Sequence, residues 1–179
     1  MNSELKELLR ADMSRGYGKS GLGKSVQQKY IIAWRKASFY KKTSLLGIWY
    51  RLRLQSLSVR SGIQIPTDTK IGKGLFIAHF GIIIVNPSVV MGENINIAPG
   101  VIIGKTNRGE KKGIPTIGNK VWIGANSVIV GKINIGDDVL IAPGAYVNMD
   151  VPEHSVVIGN PAMIHGKENA TEGYINNLA

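Results

Sequence analysis

From residue 65 onward, an aliphatic side chain recurs every six residues. Nine of these thirteen positions are followed by Gly or Ala, and most hexads carry a second apolar or small residue four positions later. An amphipathic helix would instead repeat about every 3.6 residues and would be destabilised by so many glycines. The pattern therefore predicts a coiled β-solenoid with inward-pointing aliphatic residues, rather than a β-sandwich with accidental spacing. The thirteen positions are Ile65, Ile71, Ile77, Val85, Met91, Ile97, Ile103, Ile117, Ile123, Ile129, Ile135, Ile141 and Val147.

The six-residue register breaks twice, and each break indicates a loop that leaves the solenoid. Ile77 and Val85 are eight positions apart, so two extra residues enter around His79. Ile103 and Ile117 are fourteen positions apart, and the eight extra residues between them belong to a stretch rich in Lys, Arg and Gly. Because a rigid coil positions such excursions, we expect functional residues on them.

Residues 1–60 follow a different pattern. Lys and Arg are mixed with aromatic residues and leucines between Gln27 and Leu57, which predicts two or more amphipathic helices. The glycine-rich stretch 16–23 predicts a loop, but it lacks the spacing and the preceding strand of a phosphate-binding loop. The predicted organisation is a basic helical segment over 1–60, a β-helix over 61–166 with an extended loop at 105–116, and a tail over 167–179.

The charge is concentrated at one end of the chain. Residues 1–60 hold 13 Lys or Arg against three acids, a formal charge of +10, whereas residues 61–179 hold nine of each. The basic segment matches no nucleic-acid recognition motif, so no nucleic-acid partner is expected. Its aromatic residues either pack on the first coils or contact an anionic membrane surface peripherally.

The composition indicates the cellular compartment and excludes some kinds of site. The chain has no cysteine, which excludes disulfides and zinc-thiolate sites. It has no uninterrupted apolar run of about 18 residues, and charged residues stand where a signal peptide would carry its apolar stretch. We expect a cytoplasmic protein, either free or peripheral at the inner membrane face.

Four features together resemble the serine acetyltransferase branch of the hexapeptide acyltransferases over about residues 62–166. They are the hexads, the insertion at His79, the extended loop, and the ending that runs from Val151-Pro-Glu-His154 to Gly159-Asn-Pro-Ala162. The resemblance implies a mainly β fold, a left-handed parallel β-helix, which follows the N-terminal α-helical segment. It also implies a homotrimer with acetyl-CoA in a groove between neighbouring helices. The left hand rests on the resemblance alone, because parallel crossovers are normally right-handed.

The resemblance also implies roles for individual residues. His79 matches the family's catalytic histidine, and imidazole is suited to remove a proton from an acceptor hydroxyl at neutral pH. The implied acetyl-CoA-binding positions are Gly104, Lys105, Gly124, Ala125, Ala142 and Pro143. Candidate cations for the CoA phosphates are Lys105, Arg108, Lys111, Lys112, Lys120, Lys132 and Lys167. No metal site is expected, since His79 is the only histidine that precedes the C-terminal cap of the solenoid.

The chain departs from the serine enzymes where they bind the amino acid. Ala78 stands where they carry aspartate, Ile114 where they carry a second histidine, and Gly18-Lys19-Ser20 near their aspartate-proline-alanine motif. Without carboxylates to bind its ammonium group, serine loses an anchor.

We therefore expect a sugar hydroxyl of surface-polysaccharide assembly as the acceptor. The short basic N-terminal segment and the His-Phe-Gly insertion resemble those of enzymes that acetylate such sugars. Ile82, where those relatives are expected to carry glycine, would narrow the acceptor pocket. A serine O-acetyltransferase of cysteine biosynthesis is the alternative enzyme, and a non-catalytic trimeric scaffold or binding protein is the alternative of another class.

Overall fold

The computed structural model describes residues 2–16 and 24–179. These residues form three helices followed by fifteen short strands. The helices are α1 (Ser3–Ser14), α2 (Val26–Phe39) and α3 (Leu45–Ser61). The loop predicted at 16–23 lies outside the described residues from residue 17 onward, and so does the departure at residues 18–20.

Local chemistry explains where α2 and α3 begin and end. Ser25 caps α2 in a capping box with Gln28, in which each side chain accepts from the other residue's backbone N–H. Ser44 caps α3 by accepting from the Gly47 N–H. Gly62 ends α3 in the left-handed conformation at a φ of 77°, which glycine adopts without a Cβ penalty.

The strands form three parallel sheets that make about five coils of a solenoid. Sheet A contains β1 (Ile63–Gln64), β4 (Ile83–Val85), β7 (Ile102–Gly104), β10 (Val128–Val130) and β13 (Tyr146–Val147). Sheet B contains β2 (Lys70–Ile71), β5 (Val90–Met91), β8 (Thr116–Ile117) and β11 (Asn134–Ile135). Sheet C contains β3 (Phe76–Ile77), β6 (Asn96–Ile97), β9 (Val121–Ile123), β12 (Val139–Ile141), β14 (Ser155–Ile158) and the antiparallel β15 (Met163–Gly166).

The hexad prediction is confirmed by the core. All thirteen aliphatic positions are buried, and those in strands pair in register with their equivalents one coil away, as Ile103 does with Ile129. The second apolar or small positions of the hexads, such as Leu75 and Val101, are also buried. They include the hydroxyl residue Ser127, whose Oγ donates to the Gly124 carbonyl at 2.7 Å. The predicted fold, a mainly β parallel solenoid with N-terminal helices, is therefore confirmed.

The turns between strands lie along the three edges of the solenoid. The CA edge, where sheet C passes into sheet A, contains the turns 78–82, 98–101, 124–127 and 142–145. The AB edge contains the turns 65–69, 86–89, 105–115, 131–133 and 148–150, and so carries the extended loop. The BC edge connects sheet B to sheet C.

A buried ion pair attaches the helices to the first coil. Arg35 of α2 and Asp12 of α1 meet with Nε to Oδ2 at 2.7 Å, and their side chains are 5% and 0% exposed. Both residues also bind the backbone of the first BC turn: Arg35 donates to the Ile71 and Gly72 carbonyls, and Asp12 accepts from the Gly74 N–H. The helices are therefore held to the coils by polar contacts as well as by apolar packing.

The C-terminal tail covers part of the outer face of sheet C. The Tyr174 ring lies 4.8 Å from the Trp122 ring, and Asp138 accepts from the Thr171 hydroxyl at 2.6 Å. Burial disfavours the Asp138 carboxylate, but hydrogen bonds from Thr171, Lys120 and His154 outweigh this and hold its pKa well below the usual range. No helix within the described residues is long and apolar enough to cross a membrane.

Candidate active site on the CA edge

His79 lies in the first turn of the CA edge, between β3 and β4. The two-residue insertion makes this turn protrude, and Ala78, His79 and Phe80 are all exposed. Within the described part of the chain, no hydrogen bond to the His79 imidazole is found. A ring nitrogen is therefore available to accept a proton from a substrate, as a general base requires.

The N-terminal helices hold the backbone on both sides of His79. Gln27 of α2 donates from Nε2 to the Ala78 carbonyl at 2.6 Å. The Gly81 N–H donates to the Ser61 carbonyl at the end of α3, at 2.8 Å. Both helices thus fix the turn that presents the imidazole.

Gly81 is required at this turn for two reasons. Its φ is 148°, and a Cβ there would lie 2.9 Å from Cβ of Pro99 in the next CA turn. A side chain would therefore need both a rarely adopted backbone conformation and a displacement of the neighbouring coil.

Apolar side chains flank the imidazole. Phe80 is 66% exposed and Ile82 is 61% exposed, although both are large hydrophobic residues. The Ile82 carbonyl accepts from the Gly100 N–H at 2.6 Å, which ties this turn to the next one. Ile82 thus lies in the same turn as His79, where the sequence analysis predicted a narrower acceptor pocket.

The predicted acetyl-CoA positions separate into two groups. Gly124, Ala125, Ala142 and Pro143 lie on the CA edge, in the second and third turns above the His79 turn. At about 4.8 Å per coil, these turns stand about 10 Å and about 14 Å along the edge from the His79 turn. Gly104 is the last residue of β7 and Lys105 follows it, so both instead lie at the AB edge, along the opposite edge of sheet A. One chain therefore does not bring all six positions into a single groove.

Two of these positions present free backbone donors. The ladder around them is satisfied, since Gly124 N–H donates to the Ile141 carbonyl and Ala142 N–H to the Val157 carbonyl. Within the described residues, the N–H groups of Ala125 and Lys105 have no partner. Backbone donors that lack a partner can bind the amide carbonyls of an extended ligand.

The extended loop folds back on itself at the AB edge. Thr106 and Gly113 exchange both backbone hydrogen bonds, and Lys132 N–H donates to the Lys111 carbonyl at 2.9 Å. Lys111 also pairs with Asp150 at 3.2 Å, and the Asn134 N–H together with this lysine lowers the Asp150 pKa.

The candidate phosphate-binding cations fall into two sets. Lys111 and Lys120 are engaged in ion pairs, Lys120 with Asp138 at 2.9 Å. Within the described residues the others form no ion pair: Lys105, Arg108, Lys112, Lys132 and Lys167. Four of these five lie in the extended loop or the AB turn above it, which makes that edge the more basic side of the solenoid.

The CA edge carries no acidic residue. Its turns contain neither Asp nor Glu, and Asp12, the acid closest in sequence to the missing N-terminal motif, is buried against Arg35. No cluster of three His, Asp or Glu side chains suitable for a metal ion occurs in residues 2–16 and 24–179.

The sequence profile of the family described as "Bacterial transferase hexapeptide (six repeats)" matches residues 114–148, which run from the end of the extended loop through β13. Over these residues, which include β8 to β13, the solenoid matches bacterial transferase hexapeptide repeats. This confirms the hexapeptide-repeat part of the predicted resemblance.

The chain is similar to several serine acetyltransferases. That of Helicobacter pylori is 38% identical over 102 residues, which cover 57% of this chain and 60% of the relative. The chain thus spans less than two thirds of that protein.

Solved structures of serine acetyltransferases share the fold. The crystal structure of the Brucella abortus enzyme superposes with a TM-score of 0.78 at 28% identity, covering 95% of this chain and 72% of that one. The same enzyme in complex with coenzyme A superposes with a TM-score of 0.75 at 28% identity, covering 93% and 70%. Because these similar proteins are serine acetyltransferases, the findings favour the serine alternative over the sugar acceptor expected from the sequence.

Sequence reasoning missed the residues that hold the His79 turn. Gln27 lies on a polar helix position that is typical of solvent exposure, and Ser61 acts through its backbone carbonyl. Neither interaction leaves a sequence pattern, because each depends on how the helices dock.

Proposed function

We propose that this chain is an acetyl-CoA-dependent O-acetyltransferase in which His79 is the general base. The observation that carries the proposal is the position of an exposed, unpaired imidazole on the same edge as the free Ala125 N–H. The likeness to a serine acetyltransferase solved with coenzyme A supports acetyl-CoA as the donor. The proposed donor positions are Gly104, Lys105, Gly124, Ala125, Ala142 and Pro143.

In the proposed reaction, one proton passes from the acceptor hydroxyl to His79 and then to the CoA sulfur. His79 takes the proton of the acceptor hydroxyl as its oxygen attacks the thioester carbonyl carbon. The tetrahedral intermediate then collapses, the carbon–sulfur bond breaks, and the CoA sulfur leaves with the proton from the imidazolium. A positioned base of this kind contributes about 10²–10⁴-fold in rate.

The separation of the donor positions favours a homotrimer. The outer face of sheet A, which lies between the two groups, exposes Ile84, Ile102 and Tyr146. Packing this face against a second copy would bury apolar surface and could bring the CA edge of one chain to the AB edge of the next. Light scattering should then report about three times 19.4 kDa. An Ile102→Glu variant should dissociate and lose activity, whereas an active monomer would contradict the shared groove.

Serine is the first acceptor to test, because the relatives named above are serine acetyltransferases. A hydroxyl acceptor without an ammonium group, such as a sugar, is the second candidate. The observation that favours it is the absence of Asp and Glu from the turns of the CA edge.

An Ala78→Asp variant distinguishes the two acceptors. It adds a carboxylate next to His79, so it should raise kcat/KM for a poorly bound serine and leave a sugar acceptor unimproved. If the unaltered protein already transfers acetyl to serine efficiently and gains nothing from Ala78→Asp, another part of the assembly anchors the ammonium group.

The decisive test of the proposal is His79→Ala. Turnover of acetyl-CoA, followed with a thiol reagent in the presence of serine or sugar acceptors, should fall by about 10²–10⁴-fold. Coenzyme A binding measured by calorimetry should be nearly unchanged, because the imidazole acts on the acceptor. His165→Ala is the matched control, since His165 is exposed on β15 away from the CA edge.

A His79→Ala variant with more than about a tenth of the original rate would contradict a general base. No turnover by the unaltered protein with any acceptor, despite coenzyme A binding, would instead favour the non-catalytic scaffold.

A further inference from the structure

Helix α3 is apolar on two opposite faces. One face packs inward and buries Gly47, Leu54, Leu57 and Ser61. The other is solvent-exposed although it carries large hydrophobic residues, with Leu45 at 88% and Leu52 at 68% exposure. Exposed apolar residues spaced three, four and seven positions apart lie in one stripe along a helix, which here is interrupted by Gln55 and Ser56 before Val59. This stripe, the α3 stripe, consists of Leu45, Ile48, Trp49, Leu52 and Val59.

A basic cavity opens beside the α3 stripe, between α2 and α3. Its volume is about 460 Å³, and Trp49 of the stripe forms part of its wall. Four cations line it and no acid does: Lys24, Lys29, Lys36 and Arg53. The Arg53 guanidinium lies 5.5 Å from the centre of the Trp49 ring, which places positive charge directly at the border of the stripe.

The charge of the N-terminal helices indicates which kind of partner the α3 stripe fits. The sequence has no Asp or Glu between Asp12 and Asp68, while eleven Lys or Arg lie in that interval. A second copy of the chain, docked stripe to stripe, would bring these cations against each other. The region instead complements a surface that is apolar just below a layer of negative charge.

We propose that the α3 stripe docks on the surface of an anionic membrane, with the basic cavity receiving lipid phosphate groups. An interfacial helix of this kind lies in the membrane plane, with its apolar face buried about 5–10 Å into the boundary between headgroups and acyl chains. Trp49 sits where the indole ring is favoured, at the level of the headgroups. Docking is independent of acetyl transfer and would bring the His79 turn close to membrane-bound acceptors.

The experiment is co-sedimentation of the full chain with two kinds of vesicle, pure phosphatidylcholine and an equal mixture with phosphatidylglycerol. Binding to the mixed vesicles should weaken as the ionic strength rises from about 0.1 M to about 1 M, because the Debye length falls from about 10 Å to about 3 Å. Pure phosphatidylcholine should bind much less protein at either salt concentration.

Paired variants separate the two parts of the surface. Lys29→Gln with Arg53→Gln should weaken partitioning about 25-fold, since each basic residue near an anionic surface contributes about fivefold. Ile48→Ser with Leu52→Ser should weaken it by about tenfold or more. Lys70→Gln with Lys167→Gln is the matched charge control, because Lys70 is exposed on the solenoid and Lys167 at the start of the tail. This variant should bind like the unaltered protein. All these positions are exposed, and circular dichroism checks that each variant is folded.

A spectroscopic readout tests insertion directly. Of the three tryptophans, Trp49 is half-exposed on the α3 stripe, Trp34 is buried, and Trp122 lies against Tyr174 on sheet C. Mixed vesicles should therefore shift tryptophan emission to shorter wavelength in the unaltered protein and not in Trp49→Phe. Equal binding to both vesicle types, or stripe variants that bind like the unaltered protein, would overturn the proposal. Stripe variants that change the oligomeric state without affecting vesicle binding would also overturn it, and would assign the stripe to a contact between copies.

Discussion

Replacing Asp12 by alanine should destabilise the attachment of the helices to the solenoid. The Asp12 carboxylate accepts from Arg35 Nε at 2.7 Å and from Arg35 Nη2 at 3.0 Å. It also accepts from the N–H groups of Gly74 and Leu75, at 2.9 and 2.8 Å. Its removal leaves the Arg35 charge buried without a counter-ion and leaves two backbone donors without an acceptor.

The size of the effect follows from this geometry. Removing one partner of a buried ion pair costs about 3–5 kcal/mol, because the remaining charge stays desolvated. A net stability of about 5–15 kcal/mol is typical, so the loss is a large fraction of the total. For a chain of this length, at about 2–4 °C per kcal/mol, the melting temperature should fall by roughly 6–20 °C.

The assay is thermal unfolding of the full chain followed by circular dichroism. The matched control is Lys42→Ala, which breaks the exposed pair of Lys42 with Asp68, with side chains 68% and 66% exposed, and should cost less than about 1 kcal/mol. A double variant, Asp12→Ala with Arg35→Met, removes the unpaired charge and should cost less than the sum of the single changes. It should not recover full stability, because the backbone groups of Ile71, Gly72, Gly74 and Leu75 lose their partners.

An Asp12→Ala protein within about 1 kcal/mol of the unaltered chain would refute this reasoning, because water would then have to reach the site. Since Gln27 lies on the same helix as Arg35, we also expect Asp12→Ala to lower turnover more than coenzyme A binding.

Two further predictions concern pH. Asp138→Asn should loosen the tail, seen as faster amide exchange at Ala170 and Thr171. Because the Asp138 pKa is lowered on folding, its stabilisation is present above about pH 4 and is lost as pH falls. The protection of these amides in Asp138→Asn and in the unaltered protein should therefore converge in acid. A difference in protection that does not change with pH would contradict this. Tyr30→Phe should cost about 1–3 kcal/mol, because the buried Ile65 N–H loses its acceptor at 2.9 Å. Burial raises the Tyr30 pKa to about 12, so its contribution is lost as pH rises from about 10 to about 12, and denaturation of Tyr30→Phe should show a weaker alkaline dependence.

The solenoid could be predicted from the sequence because its interactions are periodic. Each coil repeats the same contact with its neighbours, so an inward aliphatic residue such as Ile103 recurs at a fixed spacing along the chain. Departures from the six-residue spacing could be recognised for the same reason, and the two-residue insertion at His79 pointed to the candidate base. Periodicity could not identify the acceptor, since the residues around His79 depart from the serine enzymes while the relatives remain serine acetyltransferases.

The remaining features depend on contacts between distant parts of the chain, which have no period. Asp12 and Arg35 appeared as ordinary charges of a basic helical segment, but docking on the coils buries both. Gly104 and Ala125 were predicted to belong to one acetyl-CoA site, but the winding of the coils places them at opposite edges of sheet A. The sequence by itself determined which side chains point inward, because burial alternates locally along each strand. Only the tertiary structure decided which surface groups meet, because those distances depend on how whole helices and coils pack together.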